Sequence, residues 1–326
     1  MPRFLLIQTA FIGDVVLATP LIESLSAAYP ESEIDFVLRK GNENLLEGHP
    51  KLRKLFVWNK KESKYKALLK LLKQIRNERY DYVINLQRFA STGFLTAFSR
   101  GKIVIGFKKN PFSFLFHQKV RHLFEPGMHE VDRNLNLIKT LVEKPIRQPR
   151  LYPSADDFDK VSPAFAKTYV CLAPSSVWFT KQLPRDQWVA LCQRIPENIH
   201  LYFLGAPSDA ALCEQIISSS GHTEATNLCG KLSFLQSAAL MSKARMNYVN
   251  DSAPLHFASA MNAPVTAFFC STLPEFGFGP LSNLSVVAEA TEKIPCRPCG
   301  VHGRKTCPQN HFDCGYKIDT IKYLPQ

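Results

Sequence analysis

The sequence predicts an α/β protein made of two parallel-sheet domains. Short apolar runs, of the kind found in sheets covered on both faces, alternate with amphipathic helical patterns. A proline-rich segment interrupts the alternation, which then restarts. The length, 326 residues, suits two domains of ordinary size. With 45% hydrophobic and 21% charged residues, a full core can form and an ordered chain is expected.

In chain order, residues 4–9, 33–38, 54–58, 82–86 and 102–107 read as strands. Between the third and fourth lies SKYKALLKLLKQIRNERY, the clearest helical pattern. Helical spacing puts Tyr65, Leu68, Leu69, Leu72 and Ile75 on one face. Lys64, Lys66, Lys70, Lys73 and Arg76 fall largely on the others. Residues 129–142, HEVDRNLNLIKTLV, read as a further helix. Residues 143–165 hold four prolines and several acids and read as a linker, giving domains of residues 1–150 and 151–326. In the second half, residues 169–174, 200–205, 246–250, 265–270 and 285–288 are strand-like, and residues 185–195, 208–219, 234–243 and 254–261 are helical. Two such halves imply two parallel-sheet domains facing a cleft, with chemistry at the strand mouths.

No apolar run reaches the roughly 18 residues of a spanning helix. Asp14 interrupts the would-be signal segment at the N-terminus, and its basic flank is only Arg3. A cytoplasmic protein is expected. The net charge of +12 is unevenly placed: residues 1–150 carry 26 Lys/Arg against 14 Asp/Glu, and residues 151–326 carry 14 against 14. The first half therefore suits an anionic partner: nucleic acid, a membrane face or an acidic substrate.

Three strand mouths carry candidate chemistry. Gly13-Asp14 follows the first strand. The three-glycine dinucleotide fingerprint is absent, which argues against a NAD-type site. Asp14 reads either as a helix cap or as a general base. APSSVWFTKQLP follows the strand at residues 169–174. Its Ser175, Ser176 and Lys181 suit a phosphate group, although no Walker A loop is present and a solvated polar loop is the plainer alternative. YVNDSAPLHFASAMNAPVTAFF places Asp251 and Ser252 after a strand, then a helix with Pro254 in its first turn. The N–H groups of Ser252 and Ala253 and the helix dipole make an anion site there, and capping by Asp251 or Ser252 is compatible with it.

QTAFIGDVVLATP, the APSS…TK…LP pattern and NDSAPLHFASAMNAPVTAFFCSTLPEFGFGP, in this order, resemble the ADP-heptose:lipopolysaccharide heptosyltransferases, glycosyltransferase family 9. The resemblance runs over nearly the whole chain. It implies a GT-B fold of two Rossmann-like domains, with the acceptor in the first and the ADP-sugar in the second. It implies inverting transfer that needs neither metal nor cofactor. Asp14 then matches the catalytic base. Lys181 matches the lysine that neutralises the departing ADP, with Ser175 and Ser176 near the phosphates. Asp251 would bond the sugar hydroxyls, and Ser252 and Ala253 would hold the diphosphate. His256 sits in the first turn of the same helix, either reaching the site or packing in the core. Two features depart from the family: Ala253 stands where Gly is common, and the C-terminus is short for a long returning helix. The implied partners are an ADP-sugar donor and an anionic lipopolysaccharide-core acceptor, with peripheral contact at the inner face of the cytoplasmic membrane. Rival readings are another nucleotide sugar, a nucleotide-sugar epimerase or, in another class, a basic nucleic-acid-binding protein. The last lacks a recognisable nucleic-acid module, and no nucleic acid is expected as partner.

Of the nine cysteines, Cys171, Cys192, Cys213, Cys229 and Cys270 read as buried thiols. Cys296, Cys299, Cys307 and Cys314 cluster with His302 and His311, either as a zinc site or as reduced thiols packing a loop. Around residues 64–76 and FKKNPFSFLFHQKVRHLF, Lys and Arg are mixed with Phe112, Phe114, Phe116 and Phe124. That mixture suits an anionic lipid surface, against the alternative of a core helix with a solvated basic face.

Overall fold

The computed structural model describes residues 1–60 and 64–324, of which Lys64 is described without its side chain. The chain divides into two compact units, Met1–Tyr152 and Pro153–Gln326.

The first unit runs β1 (Arg3–Ile7), α1 (Ile12–Val16), α2 (Thr19–Ala28), β2 (Glu33–Arg39), β3 (Lys54–Trp58), α3 (Lys64–Glu78), β4 (Tyr82–Asn85), α4 (Ala90–Phe98), β5 (Ile103–Phe107), β6 (Gln118–Val120) and α5 (Glu130–Leu135). The sheet is parallel in the order β3-β2-β1-β4-β5-β6. Leu5, Ile7, Val37 and Val83 form its core with Leu68, Leu71, Leu72 and Ile75 of α3. The buried face of α3 therefore runs through Leu71. Tyr65 and Leu69, expected on that face, flank it and lie exposed.

The second unit runs α6 (Ala155–Val161), β7 (Tyr169–Ala173), α7 (Arg185–Arg194), β8 (His200–Phe203), α8 (Ala210–Ser220), β9 (Ala225–Asn227), α9 (Phe234–Lys243), β10 (Met246–Asn250), α10 (Ala253–Ala260), β11 (Val265–Phe268), β12 (Ser285–Ala288) and α11 (Asp313–Tyr316). Its parallel sheet has the order β12-β11-β10-β7-β8-β9. Numbered from its own first strand, each sheet follows the same winding, 3-2-1-4-5-6. Trp188 of α7 packs edge-on against Phe268 in the second core, at 5.2 Å between ring centroids. Helix α8 stops at Gly221, whose φ of 68° is the left-handed conformation glycine adopts without a Cβ clash.

Strands β6 and β9 are absent from the sequence reading. Each is three residues long, at a sheet edge, and polar (QKV and ATN). The helix expected at residues 129–142 shortens to α5 and one 3-10 turn, Asn136–Ile138. The proline-rich segment is not a free linker. Ser24 Oγ accepts from Ile146 N at 2.8 Å, Thr19 Oγ1 accepts from Arg150 N at 2.9 Å, and Tyr152 donates to Glu23 at 2.9 Å. Residues 146–152 are thus fastened along α2. Ser154 and Asp157 then cap α6 reciprocally. Near the C-terminus, the Tyr323 carbonyl accepts from the Tyr248 hydroxyl at 2.7 Å, holding that segment on the second unit. Among the described residues, no helix is long and apolar enough to cross a membrane.

Candidate active site

In a doubly wound sheet the strand order reverses at one point, and the loops leaving the two strands there part to open a crevice. That point falls between β1 and β4 in the first unit and between β7 and β10 in the second. The catalytic and donor-side candidates read from the sequence follow three of these strands: β1, β7 and β10.

In the first unit, Asp14 occupies the third position of α1, and its Oδ2 accepts from Phe11 N at 3.1 Å. Asp14 is therefore not the N-cap that its place suggested; that residue is Phe11, and Asp14 bonds its amide from the third helical position. The side chain is also half-buried. Burial pushes its pKa up, against the pull of the Phe11 amide and of Arg39 and Arg88. The result is a carboxylate with more proton affinity than a surface one, kept near two guanidiniums. The guanidinium of Arg39 lies 4.9 Å from the centre of the Phe11 ring.

Beside it, the strand exits are tied into a polar floor. Thr9 Oγ1 donates to Gln87 Oε1 at 3.0 Å, and Gln87 Nε2 donates to Gln8 Oε1 at 2.5 Å, joining the ends of β1 and β4. Lys60, after β3, donates to Thr9 O at 2.9 Å, and Asn42, after β2, to Ala10 O at 3.0 Å. Glu130, at the start of α5, is a second carboxylate with pKa raised by burial; it feels the charge of Asp14 and is bonded by Arg133 at 2.7 Å. The sequence reading missed all of these except Asp14. Their common signal is a polar residue placed at the carboxyl end of an apolar strand, which Gln8, Thr9 and Gln87 share.

In the second unit the adjacency of β7 and β10 brings two motifs together. Asn250, the last residue of β10, donates to Pro174 O at 2.6 Å and accepts from Leu183 N at 2.9 Å. One amide thus clamps both ends of the loop carrying Ser175, Ser176 and Lys181. Lys181 Nζ then lies 2.6 Å from Asp251 Oδ2, with side-chain exposures of only 14% and 6%. Thr272, after β11, donates to the same Oδ2 at 2.7 Å. An ammonium has three donors and Asp251 occupies one, leaving two for a ligand.

Ser252 is the N-cap of α10, but its hydroxyl makes no cap bond and turns back to Asn250 O at 3.4 Å. With Asp251 held by Lys181 and Thr272, neither of the expected side chains caps this helix. Ala253 opens the helix, half-buried. His256 is buried on α10. Ser175 and Ser176 sit half-buried at the loop's start, and Ser176 O accepts from Gln182 Nε2 at 2.6 Å.

The cysteine-rich loop supports this pair. Thr180 Oγ1 accepts from Arg304 N at 2.7 Å and from Ser271 Oγ at 2.9 Å, and Thr180 N donates to Arg304 O at 3.1 Å. Arg297 bonds Glu289 and donates to Thr272 O at 2.6 Å. At Gly303 a Cβ would come within 2.8 Å of Lys181 Cγ, so only glycine allows this approach. Cys314 is buried and Cys296, Cys299 and Cys307 are half-buried, with Cys296 Sγ 3.6 Å from His311 Nε2. Among the described residues, no group of three or more His, Cys, Asp or Glu is arranged to hold a metal ion. The five single cysteines are all buried, as read from the sequence.

Comparison with known proteins agrees with the resemblance seen in the motifs. The model of glycosyltransferase family 9 (heptosyltransferase) matches residues 68–308. The lipopolysaccharide core heptosyltransferase OpsX of Haemophilus influenzae is 25% identical over 298 residues, covering 88% of this chain and 84% of its own. A family 9 glycosyltransferase from Veillonella parvula superposes with a TM-score of 0.79 at 20% identity, over 88% of this chain and 85% of that one. The E. coli heptosyltransferase WaaC, solved with ADP-2-deoxy-2-fluoro heptose, gives 0.75 at 19% identity over 98% of both chains. The fold is GT-B, as the motifs implied. On the family model and the motifs at its strand mouths, this chain belongs to glycosyltransferase family 9, the heptosyltransferases.

Proposed function

We propose that this protein transfers a heptose from ADP-heptose to an anionic lipopolysaccharide-core acceptor, with inversion at the anomeric carbon. The first unit takes the acceptor and the second the ADP-sugar. Lys181 carries this reading: its ammonium is held by Asp251 at 2.6 Å, beside the start of α10 and at the point where the second sheet's winding reverses. A fixed cation next to a helix N-terminus suits a diphosphate.

In the reaction, Asp14 takes the proton of an acceptor hydroxyl as that oxygen bonds to the anomeric carbon. The bond from that carbon to the diphosphate oxygen breaks, and its electron pair leaves with ADP. Charge grows on the departing oxygen, and Lys181 and the first turn of α10 neutralise it. Asp251 orients Lys181 and faces the sugar hydroxyls; Ser175 and Ser176 serve the phosphates. Arg39, Lys60 and Arg88 give the acceptor side its affinity for anions. Such an acceptor is membrane-borne, so the enzyme works at the inner face of the cytoplasmic membrane.

Thermal-shift measurements with ADP, UDP, GDP and NAD test the donor class, because a ligand that binds only the folded state raises the melting temperature. ADP is expected to give the clear rise, and an equal or larger response to UDP or GDP would reassign the donor. EDTA is expected to leave transfer intact, because Lys181 supplies the positive charge at the diphosphate. Activity that EDTA abolishes and only added Mg²⁺ or Mn²⁺ restores would refute that role.

A further inference from the structure

The first unit exposes apolar side chains in a neighbourhood poor in negative charge. Between Tyr82 and Phe124 there is no Asp or Glu, against seven Lys/Arg. Helix α3 contacts α4, and α4 contacts the 3-10 turn Ser113–Leu115, so the three lie in a row. Along that row Tyr65 (76%), Leu69, Phe98, Phe114 (68%) and Leu115 are exposed. Phe112 holds the row together: its ring lies 6.0 Å from Phe94, 6.3 Å from Phe98 and 6.4 Å from Phe114. Lys66 and Lys70 stand exposed on α3, and Lys108 and Lys109 on the segment leading from β5 into the turn.

Single exposed apolar residues need no explanation, but a run of them bordered by cations does, when its one described carboxylate, Glu78 at the end of α3, is already paired with Arg53 and Lys54. Water gains nothing from Phe114 and Leu115 at the tip of a turn. An anionic bilayer does: the rings and aliphatic chains enter the acyl boundary while the ammonium groups rest at the phosphates. A protein partner of acidic character would satisfy the lysines and leave the apolar tip without a use. The structure also narrows the aromatic residues available. Phe116 is buried and Phe112 is committed to the ring cluster, whereas Phe124 is exposed, with the Arg133 guanidinium 4.8 Å from its ring centre.

We infer that α3, α4 and the Ser113–Leu115 turn form the face by which this protein rests on an anionic lipid bilayer, with Phe114 and Leu115 inserting and Lys108 and Lys109 at the headgroups. The inference rests on the membrane-borne acceptor proposed above only for its biological setting; the surface itself is a property of this chain.

The test is co-sedimentation of the full chain with vesicles of phosphatidylcholine alone and of phosphatidylcholine mixed with phosphatidylglycerol. Binding is expected only to the mixed vesicles. Phe114→Ser/Leu115→Ser should lower the partition about tenfold or more, from the lost apolar burial. Lys108→Glu/Lys109→Glu should lower it about 25-fold or more, since each cation removed near an anionic surface is worth about a factor of five. All four side chains are exposed, so melting temperatures should not move, and transfer to a deacylated, soluble acceptor should be unchanged. Equal binding to both vesicle types, or a Phe114/Leu115 variant that binds as the parent does, overturns the inference. Binding to a nucleic-acid homopolymer that outcompetes vesicles and ignores the aromatic substitutions overturns it too, in favour of a polyanion site. Failure of the heptosyltransferase reading would appear separately, as absent transfer to the soluble acceptor by the parent protein.

Discussion

Asp14→Asn is expected to remove transfer while leaving ADP binding at the parent level. Loss of a general base costs roughly 10²–10⁴-fold in rate. ADP affinity should hold because Asp14 belongs to the first unit and Lys181, Asp251 and α10 to the second. Asn keeps an oxygen that accepts from Phe11 N, so the start of α1 survives the change. The measurement is single-turnover transfer alongside an ADP titration. Turnover near the parent rate would reduce Asp14 to a helix cap.

The pH dependence gives an independent check. Transfer requires ionised Asp14, so its rate should fall as pH drops through the Asp14 pKa, which burial raises above the ordinary carboxylate value. The stability effect has the opposite sense. With the folded pKa above the unfolded one, the folded chain holds the Asp14 proton to higher pH than the unfolded chain does. Between the two values the folded state binds more protons, so stability declines as pH rises and the full cost is present above the folded pKa. Asn carries no such cost. The Asp14→Asn chain should therefore melt no lower than the parent at neutral pH, and this advantage should disappear below the unfolded pKa. A site that is inactive yet at least as stable is what a base under strain predicts, whereas a lost structural cap predicts a lower melting temperature.

The short apolar runs alternating with helical patterns made most of the fold legible. Residues 4–7, FLLI, read as a covered strand, and all four are buried in β1 of the first sheet. The edge strands β6 and β9 escaped because three polar residues carry no periodicity; their neighbours in the sheet define them. Tyr65 and Leu69 were misplaced for a related reason. Helical spacing gives an apolar stripe its width, but which edge of the stripe meets the sheet depends on the crossover between β3 and β4. At the proposed site, Asp14, Lys181 and Asp251 drew attention because each follows a strand in a compact motif. Thr272, Thr180, Arg297 and Arg304 were not. They act across the fold, where no spacing rule reaches, and the bond from Arg304 N to Thr180 spans 124 positions. The cysteine spacing drew attention to metal chemistry, while the same loop's backbone and Gly303 were shaping the Lys181 site.

Lys181→Met is expected to lower both stability and transfer, and a second substitution should separate the two. Methionine keeps the aliphatic stem against Gly303 but leaves the Asp251 carboxylate without its cation. Breaking a fully buried pair costs several kcal/mol. Here Thr272 still donates to Asp251 and Lys181 is not wholly buried, so about 2 kcal/mol is the better figure. For a unit of this size that lowers the melting temperature by about 4–8 °C. Transfer should fall further, about 10²–10³-fold, because the charge that develops on the leaving diphosphate loses its fixed cation. Adding Asp251→Asn removes the unpaired carboxylate, keeps an amide for Thr272, and should restore most of the lost stability. It should not restore transfer, since no cation faces the diphosphate in either variant. The two effects are coupled in stability and uncoupled in rate, which a double-mutant cycle measures directly. If the double variant transfers sugar nearly as well as the parent, Lys181 serves only to neutralise Asp251, and the diphosphate must find its counter-charge elsewhere.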